Sequence, residues 1–159
     1  MTTLGVTGHS QLSERGAELV YRDLVEHVAG YPAEELVGIT CLARGADQLF
    51  ADAILDRGGR LEIIAPSIDY FDHISDEQQR ARCTAFRQRA ASVHTLPHAH
   101  AGSAAYLAAS ELLVDRCDRL IAVWDGGDSS GTADAVAYAR SLGREITIVW
   151  PEGAERVSF

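Results

Sequence analysis

Short apolar runs alternate with longer stretches in which apolar residues recur every three or four positions, and the alternation persists along the whole chain. Leu4 to Thr7 is the first run, stopped by Gly8-His9-Ser10. Beyond it, Ser13 is placed to cap a helix whose apolar face would carry Tyr21, Leu24, Val25 and Val28. Tyr31-Pro32 breaks that helix, and Leu36 to Thr40 reads as a second strand. After Arg44-Gly45, the residues Ala46, Leu49, Phe50, Ala53 and Ile54 return at helical spacing until Gly58-Gly59 stops them. Leu61 to Ala65 is a third strand, and Ser75 with Gln78 resembles a capping box opening a polar helix over 76–90. Val93 to Leu96 reads as a strand, 103–117 as a helix and Leu120 to Trp124 as another strand. Ala135, Tyr138, Ala139 and Leu142 then share a helical face that Gly143 ends, and Ile146 to Trp150 is the last strand.

Strands alternating with helices of this length imply parallel crossovers, and a parallel sheet needs helices on both faces. The expectation is therefore an α/β fold, a single doubly wound Rossmann-like domain over 1–159 with a mostly parallel sheet. Ligands in such folds sit beyond the carboxyl ends of the strands, where strand order reverses. Three loops are nominated on that ground alone: Gly8 to Ser10, Cys41 to Asp47, and Asp125 to Asp134.

Composition narrows the chemistry. With 159 residues, 47% of them hydrophobic, the chain can fill one core. No run is long enough to span a membrane and the first residues lack a signal-peptide pattern, so a cytoplasmic protein without membrane association is expected. Cys41, Cys83 and Cys117 follow no disulfide or metal-ligand spacing and read as small buried hydrophobes. His98-x-His100 lacks companion ligands, so no metal is expected, nor any cofactor. The net charge of -9 makes nucleic acid an unlikely partner, because such binding rests on Lys and Arg neutralising phosphates. All 14 basic residues are arginine, which excludes a Walker A lysine or a Schiff-base lysine. Arg80, Arg82, Arg87 and Arg89 read as a solvated helix face or a contact for an acidic partner.

The third loop carries the strongest signal. Gly126, Gly127 and Gly131 permit close backbone approach, Ser130 and Thr132 bring hydroxyls, and a helix opening at Thr132 turns free N–H groups toward an anion. The same residues would serve a plain capped turn. Asp125 opens this loop. In the second loop Arg44 can clamp a phosphate or carboxylate beside Gly45, while Asp47 either bonds a ribose hydroxyl or favours the helix amino end. In the first, Gly8 allows close approach and His9 or Ser10 can hydrogen-bond a ligand.

The segments Gly5-Val-Thr-Gly8-His9, Cys41-Leu-Ala-Arg-Gly-Ala-Asp-Gln-Leu-Phe50, Asp118 to Asp125 and Gly131-Thr-Ala-Asp-Ala-Val-Ala-Tyr-Ala139 together resemble the SLOG superfamily of Rossmann-like nucleotide-binding domains. Leu42 to Asp47 is similar to the Ala-Arg-Gly-Ile-Asp segment of the DNA-processing protein A family. The Lonely Guy phosphoribohydrolases of that superfamily carry Pro-Gly-Gly-x-Gly-Thr-x-x-Glu and an upstream arginine used in N-glycosidic cleavage. Here Asp125 stands for the proline, Ala135 for the glutamate, and the arginine position falls near Ala109 or Ser110. The resemblance implies binding or sensing of a nucleotide or related phosphorylated small molecule. Its alternatives are an N-glycosidic hydrolase or transferase, with Asp134 or Asp47 as the carboxylate, and a DNA-binding protein. A homo-oligomer is compatible with each.

Overall fold

In the computed structural model, residues 1–128 and 131–157 are described. Strands and helices alternate as β1 (Thr2–Gly8), α1 (Glu14–Ala29), β2 (Leu36–Thr40), α2 (Ala46–Arg57), β3 (Arg60–Ala65) and α3 (Glu77–Arg89). The series continues with β4 (Ser92–Thr95), α4 (Ser103–Arg116), β5 (Arg119–Val123), α5 (Gly131–Ser141) and β6 (Glu145–Val149). The strands form one six-stranded sheet in the order β4-β3-β2-β1-β5-β6, every neighbouring pair parallel. The expected doubly wound α/β fold is the observed one.

Side-chain alternation along the strands divides the core in two. Leu4, Val6, Leu61, Ile63, Ile121 and Val123 face α1 and α2, where they meet Val20, Leu24, Phe50 and Ile54. Ile39, Ile64 and Leu120 face the other way, onto Ala109, Leu113 and Val114 of α4 and Ala139 of α5. β2 is buried at every position, as a strand covered on both faces must be, whereas the edge strand β4 is exposed throughout.

Local details depart from the sequence pattern in three places. The buried stripe of α1 is Gly16, Val20, Leu24 and Val28, which leaves Val25 exposed. The cap of α3 is Asp76 rather than Ser75, because the Asp76 carboxylate accepts the N–H groups of Gln78 and Gln79. Leu142, just past the end of α5 at Ser141, is exposed rather than on the buried face.

Candidate functional site

From β1 the chain steps outward to β4, then returns through α4 to place β5 on the far side of β1. Strand order reverses between β1 and β5, so their carboxyl ends diverge into helices on opposite faces and leave a crevice. A cavity of about 500 Å³ lies there, lined by Gly8 at the end of β1, His9 and Ser10 beyond it, and Ala43, Arg44 and Asp47 after β2. Gly131, Thr132 and Ala135 at the start of α5 complete the wall, with Tyr70, Tyr106, Ser110 and Arg156.

The first two loops are locked together by contacts that explain their glycines. A Cβ on Gly8 would lie 2.5 Å from the Ala46 Cβ and 2.8 Å from that of Val123, so only glycine lets α2 sit this close to β1 and β5. Gly45 takes φ +80° and has the His9 and Ser10 carbonyl oxygens 2.7 Å from where a Cβ would stand. The Ala46 N–H donates to the His9 carbonyl at 3.1 Å. Leu42 holds a left-handed φ of 58°, a conformation that costs a non-glycine residue about 1–3 kcal/mol. Three bonds hold it there: the Leu42 N–H donates to Thr40 Oγ1, the Ala43 N–H to Asp47 Oδ2, and Gln48 Nε2 to the Leu42 carbonyl.

His9 is buried and already engaged. The Asp125 N–H donates to His9 Nε2 at 3.1 Å, which places the ring proton on Nδ1. Burial, and then the nearby Arg156, hold the His9 pKa below its ordinary value, so the imidazole is neutral and its 3.2 Å approach to Asp125 Oδ1 is no ion pair. The ring also meets Trp150 edge-on at 5.5 Å. It therefore works as a strut between β1 and the third loop. Asp125 is consumed similarly: its Oδ1 accepts the Gly127 N–H at 2.9 Å, and Arg156 approaches Oδ2 at 3.5 Å.

Charge in the cavity runs against that of the whole chain. Its described lining has two arginines, Arg44 and Arg156, and one carboxylate, Asp47. Burial pushes the Asp47 pKa up to about 7, the Ala43 N–H opposing that rise, so near neutral pH this carboxyl is substantially protonated. Arg44, Arg156 with the Asp125 carboxylate 3.5 Å behind it, and the amino end of α5 then set the local field. An anionic ligand suits it.

Of the residues singled out in the sequence, Gly8, His9, Ser10, Arg44, Asp47, Gly131 and Thr132 share this cavity. Gly45, Asp125, Gly126 and Gly127 stand outside its described lining, in the turns that shape it. Asp134 lines an adjoining concavity instead, and Ser130 lies outside the described residues. Ala135, counted for a glutamate, and Ala109 and Ser110, counted for an arginine, do line the cavity, and none of them brings a charge. Sequence reasoning missed Arg156 and both tyrosines as site residues. Arg156 arrives through a C-terminal segment that pairs back on the first loop, the Val157 N–H donating to the Gln11 carbonyl and the Ser13 N–H to that of Glu155. No local pattern marks such a return. Tyr70 and Tyr106 come from the β3–α3 loop and from α4, and neither segment has a glycine motif.

Asp69 fixes the loop that carries Tyr70. Its carboxylate accepts from the Ser67 hydroxyl and the Ala101 N–H and contacts the rings of His73 and His100. These contacts, the Ser67 hydroxyl foremost, hold the Asp69 pKa well below the usual carboxylate range.

No protein-family model matches the sequence, and no curated protein matches it. Solved structures do. DNA processing protein A from Streptococcus pneumoniae superposes with a TM-score of 0.69 at 19% identity, over 93% of this chain and 50% of that one. A second DNA processing protein A, from Helicobacter pylori and described for its single-stranded DNA binding mode, gives 0.72 at 14% identity over 98% and 68%. The molybdenum cofactor carrier protein of Chlamydomonas reinhardtii gives 0.60 at 15% identity over 92% and 75%. The chain thus spans about half the length of the Streptococcus protein it matches. These likenesses show a Rossmann-like α/β fold.

Proposed function

We propose that the chain binds or senses a nucleotide or nucleotide-derived phosphorylated ligand in the cavity between β1 and β5. The observation that carries this reading is electrostatic: in a chain of net charge -9, the switch-point cavity is lined by Arg44, by Arg156 paired with Asp125 behind it, and by the amino end of α5, with Asp47 as the one carboxyl of its described lining. The arginines would hold phosphate in two-point geometry, and backbone N–H groups near Gly131 and Thr132 would add donors that need no charged side chain. Binding without cleavage follows from Ala135 and Ser110. N-glycosidic hydrolysis needs a carboxylate placed against positive charge developing at the anomeric carbon, and those positions supply none.

An enzyme reading keeps one support, since Asp47 is a cavity carboxyl in the pKa range of a general acid or base. Its commitment to the Ala43 N–H favours a framing role. A thermal-shift screen of nucleoside monophosphates, nucleotide sugars and ADP-ribose, followed by chromatography for free base, tests both. A ligand at 100 times its Kd stabilises by about 2.7 kcal/mol, or roughly 5–11 °C for a chain of this size. Silence across the whole panel would overturn the proposal. Rapid base release abolished in Asp47→Asn or Asp134→Asn would replace it with the hydrolase.

A further inference from the structure

Two tyrosines from different segments meet at the cavity wall. Their ring centroids are 6.3 Å apart with planes at 71°, an edge-to-face arrangement. Tyr106 is 48% exposed although it is a large ring on a packed helix. Tyr70 also touches Phe71, centroids 4.9 Å apart, and its loop is held by Asp69 to the segment entering α4. The pair is therefore positioned from both sides before any ligand arrives.

Charge changes sign across Tyr106. On one side it lines the cavity that contains Arg44 and Arg156; on the other it lines a concavity of about 270 Å³ whose charged lining, among the described residues, is Glu111 and Asp134. The two concavities share Gly131, Ser110 and Ala135, so a phosphate is drawn to the arginine end of the first and repelled from the Glu111 and Asp134 end of the second. What reaches Tyr106 must then be the uncharged end of the ligand. A flat ring with two π faces gains there from stacking, and Ser110 and the carboxylates beyond offer acceptors to its N–H groups.

We infer that Tyr106, braced edge-on by Tyr70, is a stacking subsite for the nucleobase of a ligand whose phosphate is held by Arg44 and Arg156. This rests on the phosphate-binding reading, and the test separates the two. Calorimetric titrations with GMP, AMP, CMP, UMP and ribose 5-phosphate compare the wild type with Tyr106→Ala and Tyr106→Phe. Stacking on an aromatic ring is sequence-tolerant, and its removal by alanine corresponds to a loss of about 5- to 150-fold. At least one monophosphate should bind more than about fivefold tighter than ribose 5-phosphate. Tyr106→Ala should erase that advantage while leaving ribose 5-phosphate affinity in place, and Tyr106→Phe should keep it. Since Tyr106 is half exposed, Tyr106→Ala should fold normally, which its melting temperature verifies. If ribose 5-phosphate binds as tightly as every nucleotide, or Tyr106→Ala weakens all ligands alike, the base subsite is wrong and the phosphate site stands. If none of the five binds, the base subsite fails, and the phosphate site fails with it once nucleotide sugars and ADP-ribose are silent as well.

Discussion

Gly8 and Gly131 both line the cavity, yet their substitution should have opposite consequences, and the contrast separates packing from ligand contact. An alanine methyl at Gly8 would meet Ala46 Cβ at 2.5 Å and Val123 Cβ at 2.8 Å, with the Val123 carbonyl oxygen at 3.1 Å. Carbon atoms settle at about 3.5–4.0 Å, so relief requires α2 and β5 to separate by roughly an ångström. Neither moves freely, because Ala46 is fully buried and its N–H is bonded to His9. Overpacking of this kind costs about 1–3 kcal/mol, which lowers the melting temperature of a chain this size by roughly 2–12 °C. At Gly131 a Cβ meets nothing within 4 Å among the described residues. Gly131→Ala should therefore leave the melting temperature unchanged or raise it by a few degrees through reduced unfolded-state entropy. Gly131→Val should keep the fold and weaken phosphate ligands, since its branched side chain occupies the cavity wall. Differential scanning calorimetry of the variants, with nucleotide titrations of the folded ones, decides. A Gly8→Ala protein that melts with the wild type would refute the packing argument, and a Gly131→Val protein with full affinity would move the phosphate elsewhere.

The buried Asp47 has a folded-state pKa above its unfolded value, so the native state binds the extra proton and stability falls as pH rises from about 4 through about 7. Asp47→Asn should flatten that slope in melting temperature against pH, and an unchanged slope would contradict the burial argument. Asp69 has the reverse sign: its depressed pKa adds stability that is present above about pH 4 and is lost as pH falls further. Asp69→Asn should speed hydrogen exchange at the Ala101 and Ile68 amides, while equal protection would show that the loops hold without it. Arg156→Ala should weaken nucleoside monophosphates by about tenfold and reduce the salt dependence of binding, as expected for loss of a charge-assisted contact. Single-stranded DNA should show no submicromolar, salt-sensitive binding by fluorescence anisotropy; such binding would favour a role like that described for the Helicobacter protein.

Periodicity alone determined the α/β class, the order of elements and the three glycine-bearing loops, because a strand covered on both faces must be continuously apolar and a crossover helix must be striped. Leu36 to Thr40 was readable to the residue for that reason. Caps were less legible where two candidates adjoin, as at Ser75 and Asp76, since only backbone direction decides which side chain reaches the free N–H groups. The site divided along the same line. Arg44 and Thr132 stand at strand-to-helix junctions, and a parallel sheet gathers its strand ends on one edge whatever the side chains. Tertiary structure alone decided the rest. It turned Gly8 and Gly45 into close-packing positions, spent His9 and Asp125 on each other's loop, and raised the Asp47 pKa through burial. It also brought Tyr70, Tyr106 and Arg156 to the wall from segments 36 to 86 residues apart in sequence. Such convergence depends on where packed helices and a returning terminus come to rest, which is a property of the whole core and of no local pattern.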